Sequence, residues 1–447
     1  MHFHSGVVLI FSRDAGEAWL FAGWEMNLSL RFPLAMFLIG LGTAPGTALR
    51  GAAATSGGAA ALGFDPVRLQ RLDAVIQDHV DRQQIAGGVM FIGRDGQTAH
   101  LRAYGRQDIE GNRPMTTDAI FRIASMSKAV TTVAIMMLYE EGKFMLHDPI
   151  ERHIPAFKNA VVAVPAAKDA APGTKFATEK AHRPIQIRDL LTHTAGLTYG
   201  DGLAVDRYKA AKVYGWYFAD KDEPLEAAIN RLGQLPLHAH PGEVFQYGFS
   251  TDVLGRLVEV VSGLPLDRFF AERIFGPLKM ADSCFFLPPE KAGRLAKVYG
   301  LEKGQLVLGD QGDYVQGPRK CFSGGAGVLS TTRDYARLLQ MLLNNGELDG
   351  VRLLGRKSVE LMHANHTGDK YRKDTAAFGL GFWVNTDLGY FGELGSEGAY
   401  GWGSAYFPQY LVDPKEHIVA LFMTQLRPSG GLDLNQKFKV LMYQALK

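Results

Sequence analysis

The sequence predicts an α+β protein, an antiparallel sheet flanked by helices with a mainly helical lobe attached. Three observations predict it. A capped helix and a hairpin signal open the foldable chain, short β-rich runs and a last helix close it, and a long stretch of short helical patterns lies between. The economical arrangement returns the C-terminal strands to the N-terminal hairpin. Residues 61–147 and 321–447 then form an α/β lobe and residues 148–320 a mainly helical lobe, with a catalytic cleft between them.

Residues 1–60 read as an N-terminal extension. From Met26 the chain has one basic residue, Arg31, an apolar run over 32–41 and small residues near 52–54, the layout of a secretory signal peptide. The apolar run is too short to span a bilayer, so no stable membrane insertion is expected. The segment implies a periplasmic or secreted protein; without it the protein would be cytoplasmic. Folded structure is expected from Phe64. Asp65 is placed to cap a helix and Pro66 to be its first residue, and Leu69, Leu72, Val75, Ile76, His79 and Val80 share one face. Two apolar runs then flank Asp95-Gly96, a short-hairpin signal.

The helix after Ser125, "SKAVTTVAIMMLYEEGK", is apolar nearly all round and belongs in the interior. Residues 148–320 are rich in Pro, Gly, Ala and His and contain few strand-like runs. "STTRDYARLLQMLLNNGE" is an amphipathic helix with Asp334 three residues after a capping Thr331. "GLGFWVN", "LGYFGELG", "AYGWGSAYFPQYLVD" and "HIVALFMTQ" are the closing strands, and "LNQKFKVLMYQAL" is the last helix.

The chain has 447 residues, 47% hydrophobic and 21% charged, with a formal net charge of +2 and no basic run, so a nucleic-acid partner is not expected. Cys284 and Cys321 show no metal or redox spacing and read as buried reduced thiols; a disulfide between them stays open if the protein is exported. There is no Gly-x-Ser-x-Gly, His-Glu-x-x-His, phosphate loop or Gly-x-Gly-x-x-Gly. "SGGAG" at 323–327 fits no phosphate-binding spacing and reads as a tight turn.

Ser125-x-x-Lys128 is the only Ser-x-x-Lys in the chain. On a helix these positions share a face, so Lys128 can lie against the Ser125 hydroxyl. The helix N-terminus and apolar surroundings disfavour the ammonium, and a neutral amine can take the serine proton. The alternative is a polar first turn on a core helix. Tyr247 follows a Pro-Gly turn and precedes a helix, where a phenol can relay a proton; a lone tyrosine is otherwise a buried aromatic. Trp402, flanked by glycines, lies on a strand whose backbone could approach a ligand and whose N–H could face that of Ser125; the alternative is a bulge.

Ser125-Met-Ser-Lys128, "LLTHTAGLTYG", the Pro-Gly-x-x-Phe-x-Tyr247 block, "GGAGVLSTTRDYARLLQMLLNNG" and Trp402-Gly-Ser together resemble the serine β-lactamase/penicillin-binding superfamily. Within it they are most similar to the class C-like family VIII carboxylesterases. The resemblance implies a β-lactamase/transpeptidase-like fold and no cofactor or metal. It implies Ser125 as acylated nucleophile, Lys128 as general base, Tyr247 sharing proton transfer, and an oxyanion hole from the N–H groups of Ser125 and Ala405. An asparagine of class C β-lactamases is replaced by Phe249 and a Lys-Thr-Gly cation by Trp402, which disfavours β-lactams and favours uncharged esters. Trp402-Gly403-Ser404 departs from the usual Trp-Gly-Gly. Met126, Phe249 and Trp402 near the presumed site suggest short to medium acyl chains. His193 reads as structural. The expectation is a serine carboxylesterase acting on a small-molecule ester. Its rivals are a β-lactamase or D-amino-acid/amide hydrolase of the same fold, and a penicillin-sensor-like module that acylates without turnover.

Overall fold

An eight-stranded antiparallel sheet joins the beginning and the end of the folded chain. Its strands are β1 (Gly87–Arg94), β2 (Gln97–Asp108), β3 (Arg113–Pro114), β4 (Ala377–Phe378), β5 (Trp383–Val384), β6 (Tyr400–Gly403), β7 (Gln409–Asp413) and β8 (Ile418–Thr424), in the order β4-β5-β6-β7-β8-β1-β2-β3. The computed structural model describes residues 56–170, 173, 175–372 and 376–447. The signal-like segment from Met26 lies outside the described residues.

Side chains alternate across a strand, and both faces of this sheet are covered. Val89, Val419, Leu421 and Met423 face the larger core; Met90, Ile92, Ile418, Ala420 and Phe422 face a second core. That two-sided burial is why β1 and β8 read as near-continuous apolar runs. Asp95 and Gly96 both have positive φ, 50° and 74°, as a two-residue turn of this hand requires. Register follows: Val89 opposes Ala103 on β2 and Met423 on β8.

The second core is closed by α1 (Pro66–Asp81) and α5 (Leu434–Tyr443), which pack on each other. Asp65 caps α1 by accepting from Val67 N (2.9 Å) and Arg68 N (3.2 Å), and Leu69, Leu72, Ile76 and His79 form its buried face. Phe64 bridges to Leu446, so the two ends of the fold are tied together. Folded structure begins earlier than the sequence suggests. A short helix, Ser56–Ala61, packs near β2 with Ala59 buried; its run of small residues carries no periodic signal.

The larger core is built around α2 (Ser127–Glu140), in which every residue from 127 to 138 is buried. It packs on α3 (Ser250–Ser262), while α4 (Thr332–Leu343) lies across β1 and β8. Thr331 Oγ1 caps α4 by accepting from Asp334 N at 3.1 Å. The Asp334 carboxylate instead takes Asp282 N (2.8 Å) and Ser283 Oγ (3.0 Å), because residues 282–283 pack against that turn.

The middle of the chain holds short helices such as Ile187–Leu191 and Leu225–Leu232, but also two hairpins. One pairs Val161–Pro165 with Phe176–Lys180; the other pairs Tyr299–Glu302 with Gln305–Leu308. The second docks on the end of β8, with Tyr299 N on Gln425 O (3.1 Å) and Arg427 N on Tyr299 O (2.6 Å). All described residues belong to one compact unit.

Candidate active site

Strand Ile120–Arg122 pairs with Leu329–Thr331 and runs into a single 3₁₀ turn, Ala124–Met126, just before α2. The turn faces Ala124 and Met126 inward and leaves Ser125 half-buried. Tyr335 Oη donates to Met126 O (2.8 Å), and Val328 N donates to Ser127 Oγ (3.0 Å), so the turn is fixed from both sides. The same turn packs against β6, which carries Trp402.

Lys128 is fully buried. Its amine donates to Tyr199 Oη (3.1 Å) and to Gly325 O (2.9 Å), and lies 4.6 Å from the centre of the Tyr247 ring. No hydrogen bond joins Lys128 to Ser125, which corrects the expected direct contact. Ser125 belongs to the 3₁₀ turn that precedes α2, and the amine spends its hydrogen bonds on Tyr199 Oη and Gly325 O instead. The amine therefore reaches the phenols behind the serine.

Those phenols are linked. Trp402 Nε1 donates to Tyr247 Oη at 3.1 Å. This occupies one acceptor position on the phenol and leaves its proton free to be donated. Tyr199 stands edge-on to Tyr247, with ring centres 5.7 Å apart, and burial followed by the neighbouring Tyr247 and Asp252 raises its phenol well above the ordinary tyrosine range. Tyr199 was not among the residues expected at the site; nothing in the local pattern marks it, because its partner lies 71 positions away. His193 lies fully buried against Tyr247 at 4.7 Å, and burial, with the charge of Lys128, holds its imidazole well below the ordinary range.

Two predicted pocket residues do not face a cleft. Phe249 is completely buried, edge-on to Tyr199 (5.1 Å) and stacked on Phe218 (5.7 Å), so it props the Tyr199 ring from behind. Met126 is likewise in the core, on the inward side of the turn. Trp402, Gly403, Ser404 and Ala405 are all half-buried at the end of β6. Ser404 closes a turn: its Oγ accepts from Tyr406 N (3.2 Å) and its carbonyl from Phe407 N (3.0 Å). The serine side chain is thus directed into the turn. Among the described residues, the N–H groups of Ser125 and Ala405 have no hydrogen-bond partner. Gly401 is glycine for a packing reason, not to admit a ligand: a Cβ there would stand 2.3 Å from Tyr410 O.

Two other groupings have their polar groups engaged within the protein. Glu179, His182 and His240 come within metal-ligand range of one another. His182 N donates to His240 Nδ1 (3.4 Å), which leaves Nε2 protonated and donating to Glu179 Oε1 (2.9 Å). The two imidazoles are also stacked face to face at 3.5 Å, so their in-plane lone pairs run side by side. A surface cavity of about 490 Å³ includes Lys221, Glu223 and Arg231 in its lining, but these already engage protein groups: Arg231 pairs with Glu223, and Lys221 donates to Lys212 O. Cys284 and Cys321 are free thiols, and burial pushes the Cys284 thiol up to about 11.

Comparison with known proteins shows the family and the fold. The chain is 32% identical over 378 residues to Protein Rv1367c of Mycobacterium tuberculosis, covering 80% of this chain and 90% of that one. It is 28% identical over 381 residues to Esterase EstB of Burkholderia gladioli, covering 80% and 91%. The solved structure of EstCE1, described as a hydrolase with promiscuous acyltransferase activity, superposes with a TM-score of 0.72 at 26% identity over 84% of this chain and 99% of that one. The Beta-lactamase family profile matches residues 72–441, and with a β-lactamase/transpeptidase-like fold and this residue order the chain belongs to the Beta-lactamase family, within the serine β-lactamase and penicillin-binding superfamily.

Proposed function

We propose that the protein is a serine carboxylesterase that hydrolyses short- to medium-chain esters through an acyl-enzyme on Ser125. The observation that carries this reading is the position of one amine: Lys128 is fully buried, bonded to Tyr199 and seated over Tyr247, behind a serine that reaches solvent. There the amine is placed to receive the Ser125 proton by way of the Tyr247 phenol, which Trp402 orients. Ser125 Oγ attacks the ester carbonyl. The N–H groups of Ser125 and Ala405 hold the resulting oxyanion, and each such donor contributes about 3 kcal/mol to the barrier reduction. The alcohol leaves with the proton returned through Tyr247. Water, deprotonated by the same base, then releases the acid.

Uncharged esters are favoured because the expected amide- and carboxylate-binding groups are absent. Phe249 is apolar and buried, and the Trp402 N–H is committed to Tyr247. The esterase name of EstB supports the same reading. The test is steady-state turnover of p-nitrophenyl butyrate beside a chromogenic cephalosporin. The expected result is a kcat/KM at least tenfold higher for the ester. The reverse order would make the protein a β-lactamase, and one stoichiometric burst without turnover would make it a sensor-like module.

Tyr199 shares the amine with Gly325, so its hydroxyl matters to proton movement rather than to substrate binding. Tyr199→Phe should lower kcat by about 10²-fold with KM within threefold of wild type. Steady-state kinetics on the same ester checks this, and a rise in KM at constant kcat would place Tyr199 in binding instead.

A further inference from the structure

Residues 323–327, expected to be a simple turn, enclose a carboxylate. Asp252 on α3 is 1% exposed. Its Oδ1 accepts from Ser323 Oγ at 2.5 Å and from Gly325 N at 3.1 Å. The carbonyl of Gly325 accepts the Lys128 amine at 2.9 Å. One residue therefore presents its N–H to the acid and its C=O to the base. Glycine at 325 follows from this closeness, since a Cβ would stand 2.6 Å from Asp252 Oδ2. Gly324 is held the same way: its carbonyl takes the Thr131 hydroxyl at 2.7 Å, and a Cβ would stand 2.8 Å from Thr251 O.

A carboxylate this deep is costly to keep and gives little stability in return. It is kept by two donors, the Ser323 hydroxyl and the Gly325 N–H, and the peptide that gives it one of them also holds the amine. We propose that Asp252 is a positioning residue for the base: acting through Gly325, its carboxylate fixes the Lys128 amine and stabilises the ammonium formed when Ser125 gives up its proton. This inference rests on the reading of Lys128 as general base. The proton leaves Ser125 Oγ and arrives on Lys128 Nζ, so positive charge develops opposite Asp252 during acylation. A fixed anion in a buried site lowers that barrier selectively. Burial raises the Asp252 carboxyl, while the Ser323 hydroxyl, the charge of Lys128 and the Gly325 N–H all favour its ionised form.

The titratable groups around the amine are Tyr199 and Tyr247, which touch it, His193, which feels its charge, and Asp252. Around the carboxylate they are Lys128, Tyr199 and Cys321. Asp252 is the only carboxyl group in the set, so its removal has a predictable sign. Without it the ammonium loses its proton more easily, and the acid limb of the pH–rate profile moves to lower pH.

The test follows the rate at which a p-nitrophenyl phosphonate labels Ser125, read by mass, across pH 5–9 for wild type and Asp252→Asn. The expected result is labelling about 10²-fold slower at the plateau, with the acid limb about one pH unit lower. Asp252→Glu, which keeps the charge, should recover most of the limb position. If wild type takes no label at Ser125, the base assignment itself falls. If wild type is labelled and Asp252→Asn keeps an unshifted limb, this inference alone is overturned, whatever its rate, because lost packing does not move a limb. Should Asp252→Asn lose its cooperative melt, Gly325→Ala decides. Its Cβ forces the carboxylate away from the peptide, so its limb should move the same way, and an unshifted limb overturns the inference.

Discussion

Ser125→Ala should lower ester kcat/KM by about 10⁴-fold or more, to the level left by binding and the oxyanion donors alone. The structure makes this a clean experiment. Ser125 is half-buried and its hydroxyl is bonded neither to Lys128 nor to the turn that carries it. The turn is held by Tyr335 on Met126 O and by Ser127 on Val328 N, and neither contact involves the Ser125 side chain. Removing one half-buried hydroxyl that makes no hydrogen bond should therefore leave stability within about 0.5 kcal/mol of wild type. Activity on p-nitrophenyl butyrate, thermal melting and a mass measurement of the acyl adduct check the three parts together. An alanine variant that keeps more than a hundredth of wild-type turnover would move the chemistry to another residue.

Lys128→Met should be almost as severe, at about 10³- to 10⁵-fold in kcat/KM, because the nucleophile and base act as one unit. It should also destabilise the fold, by about 3 kcal/mol. Methionine leaves Gly325 O and Tyr199 Oη without a donor and Asp252 without its neighbouring cation, at about 1–3 kcal/mol for each unsatisfied group. It also removes the desolvation of a buried amine, which acts in the opposite direction. Lys128→Arg separates charge from basicity: a guanidinium keeps the positive charge but does not release its proton near neutral pH. Arginine should therefore fail to restore activity. Kinetics and urea unfolding of both variants give the readout, and an arginine variant above a tenth of wild-type activity would exclude a proton-accepting role.

The site was legible in part. Ser125 and Lys128 stood out because their spacing repeats a helical turn, and Tyr247 because a Pro-Gly turn set it before a helix. The elements with local signals were also legible. Asp65-Pro66 marks the start of α1, Asp95-Gly96 the hairpin, and the all-apolar α2 its own burial. Tyr199 and Asp252 carried no such signal. Tyr199 meets the amine across 71 positions, and Gly325, the link to Asp252, across 197. Met126 and Phe249 were placed wrongly because nearness to a motif in the chain says nothing about which side of a turn a side chain takes. The hairpins at Val161–Pro165 and Tyr299–Glu302 escaped notice because strands of five and four residues are too short to show a period.

By itself the sequence determined the start of α1, the hairpin at Asp95-Gly96 and the burial of α2, and it singled out Ser125, Lys128 and Tyr247 as candidates, since all of these follow from patterns a few residues long. The tertiary structure alone decided what the buried amine touches. It put Tyr199 and Tyr247 on one side and the Gly325 peptide with Asp252 behind it on the other. That choice depends on how α2, α3 and the glycine loop pack together, and packing brings into contact groups that lie far apart along the chain.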